Sequence, residues 1–454
     1  MKTVQAVARY FPDNCGGIQT HLSQFLPALQ TFGVESKIAA SQDKPKEDNY
    51  EYKGVEVYRY PAFPEPMPEP NHGPVPHAGF EQFASWLKQQ KADLYNQHQW
   101  IAQCGLPHLR LAKELGMATV VTLCLPRPVC LRNTFMLHGK EACDGKIDQI
   151  RCSYCSGVPK VLPPTVLEGL SRLPASTLGE VRGKLLHNAK NAPKPIQKAI
   201  NALTYYISTP TYVAARKEGL LEMARFADRI ILVSQWMHDA LLLNGLPPEK
   251  LVLCRHGISD SWPQKKPSNN SQTGTLRVGF LGRWYFTKGV HILIEAIKSL
   301  PTNIPIELFI HGIPQDEAYR QKNMARIGDD KRIHIEQQLT REELPSALTK
   351  YDVIAMPSQW FENCPLVVLE SQASGLPVVG SNLGGIAELV HDGIDGLLVT
   401  HDDVQAWAEA FRQLATDANL LTKLRQGIEP VKTMSMEAQE TAALYEEILA
   451  EQSK

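Results

Sequence analysis

The chain has almost no net charge. Its 454 residues carry 47 Lys and Arg against 48 Asp and Glu, a formal balance of −1. A near-neutral chain has no global attraction for a polyphosphate, so no nucleic-acid partner is expected. Long apolar runs are missing too. No stretch approaches the roughly 18 residues needed to cross a bilayer, so no transmembrane helix is expected. The opening Met1-Lys2-Thr3-Val4-Gln5-Ala6-Val7-Ala8-Arg9 is broken by Gln5 and Arg9 and does not read as a secretory signal. The expected compartment is the cytoplasm. Cysteine is sparse: nine residues, an odd number, is too thin for a disulfide-stapled secreted fold. In a reducing compartment those thiols are expected to be free or metal-bound. With 43% hydrophobic and 21% charged residues, the composition is that of a folded protein, neither disordered nor collagenous. At roughly 100–200 residues per domain, the length predicts two or three domains.

What is present is β-α alternation. Residues 3–10 read as a strand, and Ile18, Leu22, Phe25, Leu26 and Leu29 place one apolar face on a helix over residues 18–30. Further strands are predicted at 34–40, 93–96 and 118–123, with a helix over 106–115. Such alternation implies a parallel sheet covered by helices. Pro61, Pro64, Pro66, Pro68, Pro70, Pro74 and Pro76 mark an exposed loop over 60–77. The alternation stops at Cys124. From about 124 to 225 runs an insert with five of the nine Cys, no clean strand, and Pro193 and Pro195 interrupting any long helix. Strands resume at 229–234 and 251–253. Residues 264–275 are polar and rich in Ser and Asn, the best linker in the chain. Beyond it a second series predicts strands at 276–281, 306–311, 333–335, 352–356, 377–380 and 396–399. The reading is α/β: a first domain over 1–263, a second over 276–430, and a last helix over 431–454 that crosses back to the first.

Three turns carry chemistry. Asn14-Cys15-Gly16-Gly17-Ile18-Gln19-Thr20-His21 joins the first strand to the first helix. Its glycines permit close backbone approach, and a helix N-terminus offers N–H groups to an anion. It is not the G-x-G-x-x-G dinucleotide fingerprint. Gly282-Arg283-Trp284-Tyr285-Phe286-Thr287-Lys288-Gly289 follows the first strand of the second series. It puts a planar guanidinium and an ammonium at a strand's carboxyl end, a pairing suited to a diphosphate. Trp360-Phe361-Glu362-Asn363-Cys364-Pro365-Leu366-Val367-Val368-Leu369-Glu370 follows another strand. Pro365 suits the first turn of a helix. Glu362 then lies on the loop, and Glu370 roughly 7–8 Å along the axis from Pro365. Carboxylates so spaced can hold opposite ends of an extended ligand. On an otherwise apolar helix, Glu370 needs a partner. Gly384-Gly385 opens a later helix as a second anion-facing turn.

This ordered set resembles the retaining nucleotide-sugar glycosyltransferases of family four (glycosyltransferase group 1). The resemblance covers most of residues 1–125 and 226–430, and rests on two Glu with seven residues between them, Gly375-Leu376-Pro377-Val378-Val379, and Gly384-Gly385-Ile386-Ala387-Glu388. It implies the GT-B fold, two Rossmann-like doubly wound domains facing a cleft, with the donor mainly on the second and the acceptor mainly on the first. By position, Arg283 and Lys288 match the pair that contacts the donor diphosphate. Glu370 matches the Glu that accepts the ribose hydroxyls, and Glu362 the one facing the transferred sugar. Asn363, Cys364, Pro365 and Leu366 match the loop under that sugar. Gly16 and Gly17 match the turn that closes over the phosphates. Asp93-Leu94-Tyr95-Asn96-Gln97-His98 stands where the family has D-x-x-H-x-H. Asn96 replaces its first His, and His98 matches the second, near the reacting sugar. The implied partners are a UDP, GDP or ADP sugar and a glycan, lipid-linked or small-molecule acceptor, with surface polysaccharide or glycoconjugate synthesis as the setting. No cofactor is expected for the transfer. Two other readings stay open: a different GT-B enzyme, such as a phosphorylase or nucleotide-sugar epimerase, and a non-catalytic sugar-nucleotide-binding subunit.

In the insert, Cys130, Cys143, Cys152 and Cys155 are spaced C-x12-C-x8-C-x2-C. A Cys-x-x-Cys knuckle suits tetrahedral zinc. Structural zinc, free thiols and disulfides all remain compatible with this spacing. Residues 182–217 hold seven Lys and Arg (Arg182, Lys184, Lys190, Lys194, Lys198, Arg216, Lys217) and no Asp or Glu. Interleaved with Leu185, Leu186, Ile196, Ile200 and Leu203, they form a basic stretch suited to peripheral contact with an anionic membrane face, or to a solvated surface.

Overall fold

The computed structural model describes residues 1–13, 16–62, 76–263 and 274–453. Asn14 and Cys15 of the first turn, most of the Pro-rich stretch and most of the expected linker lie outside the described residues. The chain divides into two compact units: Met1–Cys254 with Glu437–Lys454, and Arg255–Met436.

The first unit is built on an eight-stranded sheet. Its strands are β1 (Lys2–Val7), β2 (Glu35–Gln42), β3 (Asp48–Tyr52), β4 (Val55–Pro61), β5 (Leu94–Gln97), β6 (Ala118–Leu123), β9 (Arg229–Leu232) and β10 (Leu251–Leu253). A separate two-stranded ribbon pairs β7 (Met136–Leu137) with β8 (Glu141–Ala142). The sheet order is β10-β9-β6-β5-β1-β2-β4-β3. Every pairing is parallel except β3 with β4. β1 is flanked by β2 and β5, so chain order reverses there, and α/β sheets take ligands outside the strand ends at such a point. Helices cover both faces, and all six residues of β6 are buried, as its unbroken apolar run requires. β3 and β4 were not foreseen. Their signal was a Lys53-Gly54 turn, both at positive φ, between alternating residues.

The final helix, Met434–Gln452, lies on this unit from Glu437 onward. His21 Nε2 meets Glu437 at 3.0 Å, Asn96 Nδ2 donates to the buried Tyr445 hydroxyl at 2.8 Å, and Arg229 grips Glu451 at 2.8 Å.

Two expectations about the insert are corrected. It does contain strands, the β7–β8 ribbon, too short to show a period. Pro193 and Pro195 start a long helix instead of breaking one. Helix Lys194–Phe226 runs 33 residues, with Pro193 as its N-cap and Pro195 in its first turn. The missing N–H costs nothing there, because first-turn N–H groups have no partner within the helix.

The second unit has β11 (Leu276–Leu281), β12 (Ile306–His311), β13 (Ile333–Glu336), β14 (Val353–Met356), β15 (Val378–Ser381) and β16 (Gly396–Val399). Their order is β13-β12-β11-β14-β15-β16, with every pair parallel. This is the doubly wound order 3-2-1-4-5-6, whose switch point falls between β11 and β14.

The first unit also buries a histidine pair. His108 Nδ1 accepts from the Gly105 N–H at 3.3 Å, so its Nε2 holds the proton and donates to His77 Nε2 at 3.3 Å. The His77 Nδ1–H then donates to the Ala78 carbonyl at 2.8 Å. Tyr60 and Phe80 pack on both rings, and Phe83 on that of His108. Burial lowers both pKa values, that of His108 far below the usual histidine range. The folded protein therefore resists protons that the unfolded chain takes up near pH 6.5, and stability falls as pH drops through that value. The urea midpoint is expected to be lower at pH 5 than at pH 7, and this pH difference should shrink in His108→Gln. An equal pH difference in that variant would exclude the pair as its source.

Candidate active site

The second unit's switch point brings two loops together. The loop after β11 holds Arg283, and a 3-10 turn over Phe286–Lys288 turns Lys288 inward. Gly289 follows at φ 72°, and a Cβ there would sit 1.8 Å from the Pro357 carbonyl oxygen. Only glycine lets this loop pass so close to the loop after β14. The two are tied by the Gln359 N–H donating to the Thr287 carbonyl at 2.8 Å.

Across this junction Lys288 Nζ lies 2.6 Å from Glu362 Oε1. The same oxygen accepts from Ser358 Oγ and from Trp360 Nε1, each at 2.8 Å. The Lys288 ammonium also stands 5.5 Å from the centre of the Trp360 ring. Glu362 is buried, so three donors fix its orientation. Behind it Gly385 N–H donates to the Glu362 carbonyl at 2.7 Å, and a Cβ on Gly385 would sit 1.8 Å from the Asn363 carbonyl oxygen. The Gly384-Gly385 turn therefore supports the Glu362 loop through its backbone, with the Gly385 N–H spent on the Glu362 carbonyl. Its Glu388 pairs with Arg255 at 3.0 Å.

Asn363, Cys364, Pro365 and Leu366 are half-buried, and helix Leu366–Ala373 follows. Pro365 is its N-cap at ψ 110°, one residue before the expected first-turn position. Glu370 is buried and paired with Arg341, whose guanidinium also lies 5.6 Å over the Trp262 ring. Burial pushes the Glu370 carboxyl up, and Arg341 pulls it back. Arg341 was not singled out from the sequence, because nothing local marks a cation 29 positions away as the partner. Arg283 is exposed on the same loop as Lys288.

In the first unit, Gly16 caps helix Gly17–Gln30 after β1. The Gln19 side chain accepts its N–H at 3.0 Å. A Cβ on Gly16 would meet only ordinary contact at 3.7 Å, and one on Gly17 would meet nothing within 4 Å. The fold of the described residues therefore does not itself demand either glycine. His98 follows β5, at the same switch point. It is buried, and its Nε2 stands 2.7 Å from Gln5 Oε1. Because Gln5 Nε2 donates to Thr3 Oγ1 at 2.9 Å, the Gln5 oxygen faces His98, and His98 Nε2 is the donor. Asn96 accepts from Thr122 at 3.0 Å while donating to Tyr445, so it serves the core.

Cys130, Cys143, Cys152 and Cys155 are unpaired and ring one cavity of about 30 Å³ in the insert. The sulfur of Cys155 accepts the His138 N–H at 3.1 Å, and that of Cys143 the Gly145 N–H at 3.5 Å. Four thiols are the donor set of a structural zinc site. Among the described residues no three of these sulfurs lie within 4.8 Å of one another, so the ring is wider than a closed tetrahedral site.

Residues 262–429 match the family described as Glycosyl transferases group 1. A D-inositol 3-phosphate glycosyltransferase of Corynebacterium urealyticum is 36% identical over 148 residues, spanning 31% of this chain and 35% of the relative. The chain thus matches about a third of that relative's length. Among solved structures, sucrose-phosphate synthase from Thermosynechococcus elongatus superposes with TM-score 0.62 at 17% identity, covering 99% of each chain. Anabaena HepE, solved with UDP and glucose, gives 0.57 at 16%, covering 99% of this chain and 98% of that one. At such low identity the likeness shows the fold alone: GT-B, two Rossmann-like domains.

The Arg341–Glu370 pair yields a stability prediction. Arg341→Met strands a buried carboxylate, and breaking such a pair costs about 3–5 kcal/mol when fully buried, so about 1–3 here with Arg341 partly exposed. The orphaned Glu370 takes a proton more readily than in the unfolded chain, so the cost should grow as pH rises from 5 to 8. A cost independent of pH, measured by urea unfolding, would contradict the pairing.

Proposed function

We propose that the protein is a retaining glycosyltransferase that moves a sugar from a nucleotide-diphosphate sugar to a glycan, lipid-linked or small-molecule acceptor. The observation that carries this reading is the Lys288–Glu362 pair at the β11–β14 switch point, with the Arg341-held Glu370 on the helix that follows. An ammonium and a guanidinium suit the diphosphate, a buried carboxylate suits two ribose hydroxyls at one end of it, and a fixed carboxylate suits the sugar at the other. The family match over 262–429 and the nucleotide-bound state of HepE support a nucleotide-sugar donor.

In the reaction the bond from the anomeric carbon to the phosphate oxygen breaks, leaving the electron pair on the diphosphate. The acceptor oxygen bonds to that carbon on the same face, and its proton goes to the departing phosphate. Arg283 and Lys288 stabilise the growing negative charge, in an orientation set before the reaction begins. Without donor, Lys288 rests on Glu362, and the diphosphate draws it across. Ser358 and Trp360 keep Glu362 in place when Lys288 leaves. Gly16 and Gly17 leave room for phosphates at the first unit's switch point, and His98, aimed by Gln5, positions the sugar. The scheme uses no metal ion. We assign the four insert thiols to a structural zinc that draws the ring closed. Metal analysis of the purified protein should then give about one zinc per chain, and zinc-free protein with four free thiols would contradict that assignment.

The test is turnover. Release of nucleoside diphosphate should be measured with UDP, GDP and ADP sugars, including inositol phosphate among the acceptors. Lys288→Ala is expected to lower kcat about 10²–10³-fold. Glu370→Ala should act mainly on the KM for donor, and the product should keep the donor's anomeric configuration. Inverted product would refute retention, and no turnover of any nucleotide sugar would refute the reading.

A further inference from the structure

The insert ends in a helical hairpin that the proposed reaction does not use. Helix Ala175–Asn188 packs antiparallel to the first half of Lys194–Phe226, joined through a 3-10 turn over Ala189–Asn191. None of the described side chains of the first helix is buried. Val181 and Leu185, four apart and so on one face, are 47% and 44% exposed. On the second helix Ile196 and Leu203, seven apart and also on one face, are 50% and 59% exposed. Further along that helix Ser208, Thr209, Pro210, Thr211, Tyr212 and Val213 are all buried, and a large apolar side chain is exposed again only at Leu221, at 45%. The paired exposed apolar residues therefore lie on the hairpin, separated by a buried stretch from the single exposed Leu221.

Charge completes the pattern. Lys184, Lys190, Lys194 and Lys198 are exposed around these stripes, and residues 182–217 hold no Asp or Glu. The Arg182 guanidinium lies 5.9 Å over the Tyr205 ring, bracing one helix on the other. An ordinary solvated helix would put polar side chains where Val181, Leu185, Ile196 and Leu203 stand. A second copy of the hairpin is a poor occupant, because residues 175–203 carry five Lys and Arg against the single Glu180, so two copies would set cations mostly against cations.

We propose that this hairpin docks on an anionic lipid surface. The apolar stripes enter the boundary between headgroups and acyl chains, while the lysines extend along their stems to lipid phosphates. No helix among the described residues is long and apolar enough to cross a membrane, so the contact is peripheral. This inference does not rest on the transferase reading.

The test is co-sedimentation of the full chain with vesicles of phosphatidylglycerol and phosphatidylcholine, against phosphatidylcholine alone. Binding is expected to need the anionic lipid and to weaken with added salt. Two variants separate the two contributions: Leu185→Ser with Ile196→Ser and Leu203→Ser, and Lys184→Glu with Lys194→Glu and Lys198→Glu. Each should bind at least about tenfold more weakly, since each surface lysine and each buried aliphatic contributes separately. An unchanged melting temperature confirms that each variant folds. No binding by the parent chain, or equal binding to neutral vesicles, overturns the proposal. So does a dimer, seen by light scattering, that the apolar variant abolishes.

Discussion

Everything in the second unit is arranged around one ion pair, Lys288 with Glu362. A lysine and a glutamate on different loops meet at 2.6 Å only if those loops run close together, and the backbone is built to allow it. Gly289 is glycine because Pro357 is in the way, and Gly385 is glycine because Asn363 is in the way. The strand order explains why these loops and no others meet. β11 and β14 are neighbours in the sheet but not in sequence, so their following loops diverge to opposite faces and open a gap at the strand ends. Lys288 and Glu362 face each other across that gap. On the proposed reading the pair is a resting state. In the proposed reaction a donor's own negative charge replaces the carboxylate at Lys288, while the Ser358 and Trp360 hydrogen bonds hold the carboxylate where it is.

The first unit repeats the geometry with a different composition. Its switch point lies between β1 and β5, followed by the Gly16-Gly17 turn and by His98. Side chains crowd this turn less, because neither glycine is required by neighbours among the described residues. In contrast, His98 and Asn96 are tightly held, one by Gln5 and the other by Tyr445 and Thr122. The rigid side of this turn is thus the β5 side, and the open side is the helix N-terminus.

How much of this was legible depended on whether the cause was local. All six strands of the second unit follow from apolar runs between helical patterns, and buried parallel strands must read that way. Glu370 was legible as a carboxylate in need of a partner, since its helix is otherwise apolar. Its partner was not, because Arg341 meets it only after folding. The same holds for Ser358 and Trp360 as holders of Glu362, and for the His77–His108 pair. The insert failed for a different reason. Its prolines signal a break anywhere except a first turn, and only the fold shows that residue 194 is where a helix begins. The β7–β8 ribbon has two residues a strand, too few for any period to show.

The central claim is that the Lys288 loop and Glu370 bind a nucleoside diphosphate. Calorimetric titration of the full chain with UDP, GDP and ADP tests it most directly, beside Lys288→Ala and Glu370→Ala. The account predicts that at least one diphosphate binds one to one, and that each substitution weakens it by about 1.5–3 kcal/mol, the worth of a hydrogen bond to a charged group. Failure of all three to bind, or binding that neither substitution alters, would contradict it.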